Sequence, residues 1–235
     1  MHEPFSLLLS VYDGDRPEFL RRAYHSAIDE QTVRPAEAII VQDGPVRPEL
    51  ADCLDKLRAG SPVPVMFLQL PANGGLGPAL DAGLAAASHD VIARMDADDI
   101  AMPNRFAVQL PLISAGADIV GAGLLEFDGD LDDIVGRRVP PTKPDDIRRY
   151  AKIHDPFNHP TVVYRREAVL KVGGYGANQA LMEDYWLFSR MLAAGAEPRN
   201  AAAGLSRARR PDRRPSARRS ESRTSCSTRR DAPSE

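Results

Sequence analysis

Apolar residues in this chain gather into short continuous runs instead of alternating with polar ones. "FSLLLSVY" (5–12), "AEAIIVQDG" (36–44), "VPVMFLQL" (63–70), "DVIARMD" (90–96) and "ADIVGAGLLEF" (117–127) each have the length of a strand. Runs that are apolar on both faces suit strands covered by helices on both sides, the environment of a parallel sheet. Between the runs the spacing turns helical. Residues 16–31 carry Pro17 in the first turn and place Phe19, Leu20, Ala23, Ala27 and Ile28 on one stripe. Residues 49–59, 77–87 and 103–115 continue the alternation, each ending near Gly or Ser. Four strand–helix alternations within 116 residues predict a doubly wound α/β sheet, whose ligands bind beyond the carboxyl ends of its strands.

That rule collects polar residues on one rim. "SVYDGD", "VQDG" and "RMDADD" follow the first, second and fourth runs, so Asp13, Asp43 and the group Asp96, Asp98 and Asp99 are expected there together. "NGGLG" (73–77) follows the third run and opens a helix, which suits close approach of backbone to a nucleotide. Like charges about 5 Å apart repel by roughly 3 kcal/mol at an effective dielectric near 20, so a divalent cation is one reading of the aspartate group. A solvated loop capping the next helix is the other.

Spacing narrows the chemistry. A calcium loop starting at Asp96 would need its Gly at Ala101 and its Glu at Ala107, and fails. The glycine signature of a dinucleotide fold is absent after the first run, which leads into "YDGDRP". A pair of glycosidase carboxyls remains open, although neighbouring aspartates at one strand end look more like metal ligands than an opposed pair. What remains is Mg²⁺ or Mn²⁺ held by few carboxylates and by the oxygens of a substrate phosphate.

Composition changes this picture in one place. Over 235 residues the net charge of −3 hides an asymmetry. Residues 1–196 carry 19 Lys and Arg against 28 Asp and Glu, whereas residues 197–235 carry 11 against 5. The latter segment is rich in Arg, Ser and Pro, nearly free of large apolar residues and without periodicity, so a disordered tail is expected. Cys53 and Cys226 make neither a metal spacing nor a disulfide framework, which points to a reducing cytoplasm. "FSLLLSVY" is too short for the core of a signal peptide, and no apolar segment approaches 18 residues. Arg165 and Arg166 read as solvated turn charges.

The blocks "SVYDGDRPEFLRRAYHSAIDEQT", "IIVQDGP", "NGGLGPALDAGL", "ARMDADDIAMPNRF", "HPTVVYRREAVLKVGGY" and "MEDYWLF" stand in the order of the family 2 glycosyltransferases and resemble them over about residues 4–196. The resemblance implies a GT-A fold, a Rossmann-like three-layer α/β/α sandwich with a mainly parallel central sheet. It implies a nucleotide-binding half at 1–100, an acceptor-side half at 101–196 that is incomplete, and the tail at 197–235. Its activity would be inverting transfer of a hexose from a nucleotide-diphosphate donor, most often a UDP-sugar, to a hydroxyl of a glycan or lipid-linked acceptor in cell-envelope polysaccharide biosynthesis.

Within the resemblance, Ser10, Val11 and Tyr12 match the segment around base and ribose, Asp43 the contact to the base, and Asn73 and Gly75 the loop beside the nucleoside. Asp96, Ala97 and Asp98 match the DxD motif, with Asp98, assisted by Asp96, toward Mn²⁺ or Mg²⁺. Asp184 matches the catalytic base, with Glu183, Trp186 and His159 on the acceptor side. A cytoplasmic protein with peripheral contact at the inner membrane face is expected, and nucleic acid is not an expected partner. Asp13, Gln42 and Asp81 depart from the pattern by small polar exchanges. Relatives continue beyond the "ED" helix, so a truncated or frameshifted C-terminus is expected here. The alternatives are an inactive nucleotide-sugar-binding fragment and a metal-dependent nucleotidyltransferase.

Overall fold

The structure is a computed structural model and describes residues 3–128, 132–176 and 182–209. In chain order its elements are β1 (Phe5–Val11), α1 (Pro17–Ile28), β2 (Glu37–Gln42), α2 (Pro48–Gly60), β3 (Val65–Gln69) and α3 (Leu76–Ala86). There follow β4 (Val91–Met95), β5 (Ile100–Ala101), α4 (Arg105–Ser114), β6 (Ile119–Phe127), β7 (Ile134–Arg138) and α5 (Pro144–Tyr150). A 3₁₀ turn (His159–Thr161), β8 (Val163–Arg165), α6 (Arg166–Leu170), α7 (Glu183–Ala193) and β9 (Pro198–Arg209) complete it. The strands form one sheet in the order β3-β2-β1-β4-β8-β6-β9-β5, with β7 on β6.

The continuous apolar runs are explained by burial on both faces. In β1, Phe5, Leu7, Leu9 and Val11 pack with α1, α2 and α4, whereas Leu8 packs on the other face with Leu80 and Leu84 of α3. Helix α3 lies so close that a Cβ on Gly83 would stand 2.3 Å from Leu8 Cδ1. The run at 63–70 is the exception: β3 is an edge strand and only half buried, with Met66 38% exposed.

β1 to β4 are parallel, so their carboxyl ends share one rim. β8 then enters antiparallel between β4 and β6. Where the direction changes, two buried side chains of α4 donate to backbone carbonyls of β4, β6 and the 3₁₀ turn. Arg105 donates to Arg94 O at 2.6 Å, and Gln109 donates to Thr161 O at 2.8 Å and Val120 O at 3.1 Å. Burial, and then the Arg94 charge, lowers Arg105 to about 9.

The expected disorder from 197 onward is corrected over its first part: Pro198–Arg209 is a strand. β9 pairs in parallel with β6 and antiparallel with β5. Composition missed it because ladder bonds come from the backbone. Little side-chain burial is required: Ala201 and Leu205 close a small cluster on Ala122. The rest of the expected tail, with Cys226, lies outside the described residues; Cys53 is a buried free thiol. Arg165 and Arg166, read as solvated turn charges, are half-buried and engaged. Arg165 pairs with Glu3 and Asp90, and Arg166 Nε donates to Leu84 O at 2.6 Å.

Candidate active site

The rim carries two adjoining cavities. The smaller, about 410 Å³, opens over the ends of β1, β2 and β4 and the loop before α3. Ser10, Tyr12, Asp43, Asn73, Gly75, Asp96, Ala97 and Asp98 all line it, as expected from the sequence; Val11 does not, being buried in the core. The expected Asp13 is turned aside, its Oδ1 accepting the Arg47 N–H at 2.7 Å. Asp15 takes its place. Burial raises the Asp15 carboxyl to about 6, with Asp98 and Asp96 adding repulsion, against the 2.9 Å bond it accepts from Tyr12 N–H.

Asp43 shapes this pocket through the backbone. It is 3% exposed and accepts Gly74 N–H at 2.7 Å and Gly75 N–H at 2.9 Å, binding the glycine loop to the end of β2. Gly75 holds φ +91° at the start of α3, a region that penalises other residues. Gly44 must be small, because a Cβ there would lie 2.5 Å from Asn73 N.

The larger cavity, about 800 Å³, lies between β4, β7, the segment after α5 and the start of α7. Leu76, Asp96 and Asp98 line both cavities and form their common wall. Arg94, 1% exposed, is ion-paired to Asp96 behind this wall. Desolvation raises Asp98, with Asp96 second. It raises Asp99 well above the usual carboxylate range, with Asp96 and Asp98 adding to it. Asp99 Oδ1 accepts Arg209 N–H at 3.3 Å, while Oδ2 is buried with no partner among the described residues. The guanidinium of Arg209, at the end of β9, lies 3.8 Å from the Phe19 ring centroid and 4.8 Å from that of Phe127.

Asp184, Glu183 and His159 line the larger cavity; Trp186, 49% exposed, is not among its lining residues. Asp184 stands in the first turn of α7, its Oδ1 accepting Tyr185 N–H at 2.8 Å. Before it, Met182 holds φ +62°, the single non-glycine residue with positive φ among the described residues. His159 is buried, with Nδ1 3.9 Å from Asp184 Oδ2 and Nε2 3.0 Å from the Tyr175 hydroxyl, itself 3.3 Å from the Tyr164 hydroxyl. Burial, then the Arg94 charge, pushes His159 well below its ordinary value. Burial pushes Tyr164 up to about 12 and Tyr175 well above its ordinary value. The array is thus a neutral imidazole and two neutral phenols.

The sequence reading missed Asp155, which lines the same cavity and whose Oδ1 accepts Phe157 N–H at 3.2 Å. Burial, and then the Asp184 charge, raises it to about 7. Its signal was available: "HDPFNHPTV" carries Asp155 four residues before His159.

A mainly parallel sheet with an acidic rim, a glycine loop bound to a strand-end carboxylate and a second carboxyl-bearing cavity fit the GT-A architecture expected from the sequence. The comparisons agree. The model of glycosyl transferase family 2 matches residues 6–173, and the chain belongs to that family. An amylovoran biosynthesis glycosyltransferase, AmsE, of Erwinia amylovora is 37% identical over 193 residues, 81% of this chain and 70% of the relative. The UDP-Gal:alpha-D-GlcNAc-diphosphoundecaprenol beta-1,3-galactosyltransferase of Escherichia coli is 38% identical over 194 residues, 81% of this chain and 68% of the relative. Among solved structures, S. aureus TarS 1–349 in complex with UDP-GlcNAc superposes with a TM-score of 0.69 at 16% identity, and so speaks for the fold alone. The superposition covers 89% of this chain and 59% of that one, and 37% of the longer TarS chain is covered in another superposition.

Proposed function

We propose that the chain transfers a sugar, with inversion, from a nucleotide-diphosphate donor to an acceptor hydroxyl. The observation that carries this reading is the common wall: the carboxylates Asp96 and Asp98 face both a pocket of nucleotide size and a cavity holding Asp184. The nucleoside occupies the smaller pocket, with Asp43 fixing the loop beside the base. The acceptor hydroxyl enters the larger one and gives its proton to Asp184 as its oxygen bonds to C1 of the sugar. The bond from C1 to the diphosphate breaks, and its electron pair leaves with the nucleoside diphosphate.

The donor set fits a divalent cation. Carboxylates crowd the wall, and Asp99 Oδ2 is buried without a partner among the described residues. Among the described residues no three acidic, His or Cys side chains form a cage, so a cation there would have to complete its shell from substrate oxygens. Asp98, with Asp96, would hold Mn²⁺ or Mg²⁺, and the cation would supply charge stabilisation to the departing diphosphate.

Two relatives guide the substrates. TarS is solved with UDP-GlcNAc and the E. coli relative's name gives UDP-Gal and a diphosphoundecaprenol-linked acceptor, so a UDP-sugar and a lipid-linked acceptor are the expected pair. Residues 1–100 serve the donor and 101–196 the acceptor. Val139, Tyr150, Ile153, Met182 and Trp186 are exposed on or beside the segments that line the acceptor cavity, a surface suited to contact with the cytoplasmic membrane face. No helix among the described residues is long and apolar enough to cross a membrane.

Thermal unfolding of the full chain with UDP, GDP or dTDP, with and without Mn²⁺, tests the donor reading. A nucleotide at a hundred times its dissociation constant adds about 2.7 kcal/mol, or roughly 5–10 °C for a domain of this size. A Mn²⁺-dependent rise with UDP that Asp98→Ala abolishes is expected. A cooperative transition that no nucleotide moves overturns the donor site, and binding without turnover makes the chain a nucleotide-sugar-binding fragment.

A further inference from the structure

The two carboxyl oxygens of Asp184 have unlike surroundings. Oδ1 accepts Tyr185 N–H at 2.8 Å, which leaves Oδ2 to take the acceptor's proton. Oδ2 faces Nδ1 of His159 at 3.9 Å. That is longer than a direct hydrogen bond, and catalytic contacts are commonly long until substrate closes the site. Whether the imidazole presents a proton or a lone pair across this gap is decided behind the ring.

The ring itself is held in place. His159 opens the 3₁₀ turn, whose backbone is closed by Thr161 N–H on Asn158 O at 2.8 Å and Val162 N–H on His159 O at 3.2 Å. Phe188 of α7 meets the imidazole edge-on with ring centroids 5.8 Å apart, and the Tyr175 ring lies 5.5 Å away. Nε2 is 3.0 Å from the Tyr175 hydroxyl, which is 3.3 Å from that of Tyr164. Both tyrosines are fully buried, so the hydroxyls and the ring satisfy one another.

A neutral imidazole carries one ring proton, which can be placed in two ways. In the first, Nε2–H donates to Tyr175 and a bare lone pair on Nδ1 confronts the carboxylate, an arrangement that repels. In the second, Tyr164 donates to Tyr175, Tyr175 donates to Nε2, and Nδ1–H faces Asp184. The carboxylate charge selects the second, and each donor in the row polarises the next toward Asp184.

We propose that Tyr164 and Tyr175 hold His159 as its Nδ1–H tautomer, which makes His159 a positioning residue that aims Oδ2 of Asp184 and stabilises its charge. The inference rests on the reading of Asp184 as the base. A carboxylate oxygen has two lone pairs: one of Oδ2 meets Nδ1–H, and the other is free for the acceptor hydroxyl. No proton moves along the row during transfer. The acceptor's proton goes to Asp184, and His159 stays neutral, as its burial and the Arg94 charge require.

The first test needs no substrate: ¹⁵N spectra of the full chain labelled at histidine, at about pH 7.5, above the ordinary histidine range. His159→Gln identifies the signals of His159 among the five histidines. Nδ1 is expected at a protonated, pyrrole-type shift and Nε2 at a bare, pyridine-type one. The opposite assignment, or shifts averaged between the two forms, overturns the proposal. In Asp184→Ala the preference should weaken and the shifts move toward an average; an unaltered spectrum also overturns it.

The second test uses turnover. The side-chain amide nitrogen of Asn can stand where Nδ1 does, and that of Gln where Nε2 does. His159→Gln therefore keeps a partner for Tyr175 but gives Asp184 no donor. It should lower kcat by roughly tenfold or more, the size of a hydrogen bond to a charged group, with KM for the nucleotide sugar within about twofold. His159→Asn should turn over at least roughly threefold faster than His159→Gln, since it restores the donor. Equal turnover in the two variants overturns the positioning role. Full turnover in Asp184→Ala would sink the base instead, and the spectra distinguish that failure from failure of the tautomer.

Discussion

The two sides of the carboxylate wall are built by different means. On the donor side, side chains act on backbone: Asp43 holds Gly74 and Gly75, Asp15 holds Tyr12, and the strands beneath are locked in parallel register. On the acceptor side, side chains act on one another: His159 on Tyr175, and Tyr175 on Tyr164. The supporting segments there are a 3₁₀ turn, a three-residue strand and a helix entered through a left-handed methionine. A site fixed through backbone keeps its shape when a distant side chain changes. One fixed through a chain of protons and hydroxyls responds to pH and to every member of the chain. The first arrangement suits a nucleotide that must be recognised; the second suits a group that must move a proton.

Separating the two sides by mutation should give its largest effect at Asp184. Asp184→Ala is expected to slow transfer by roughly 10²–10⁴-fold, about 3–5 kcal/mol of barrier, while nucleotide affinity by calorimetry stays within twofold. Parallel loss of nucleotide binding would mean that the two cavities are not independent. Asp43→Ala should behave oppositely. Losing two bonds to a buried carboxylate costs roughly 2–4 kcal/mol, read as a lowered thermal midpoint together with weakened nucleotide binding. An unchanged midpoint would show that the glycine loop holds itself.

The smallest effect sharpens the comparison through pH. His159 is neutral in the fold because its value lies below the ordinary one, so unfolding takes up a proton at low pH. Its contribution to stability is complete above pH ~6.5 and is lost as pH falls below it. His159→Gln, losing about 1 kcal/mol at pH 7.5 if its bond to Tyr175 is weakened, should fall less steeply than wild type between pH 7 and 5. Equal slopes would remove the imidazole from the acceptor-side array.

What could be read from the sequence divides along the same line. The runs at 5–12, 36–44, 63–70 and 90–96 and the rule of strand ends were enough to place Asp43, Asn73, Asp96 and Asp98 on one rim, because parallel strands fix their carboxyl ends together. Asp15 was passed over for Asp13: two residues apart in a turn, they face opposite ways, and no periodicity governs a turn. Asp155 escaped because what marks it is a cavity it shares with Asp184, 29 positions away. β9 escaped for a third reason. Its place is held by ladder bonds to β6 and β5, and backbone groups carry no mark in the sequence.

The wall formed by Leu76, Asp96 and Asp98 has a consequence for the order of arrival. These residues belong to both cavities, so a donor seated in the first covers part of the lining of the second with its own phosphates and sugar. An acceptor that came first would meet bare carboxylates where the electrophilic carbon belongs. A donor that comes first turns that repelling surface into the floor on which the acceptor rests. If the two cavities take donor and acceptor as proposed, the lining they share favours donor before acceptor.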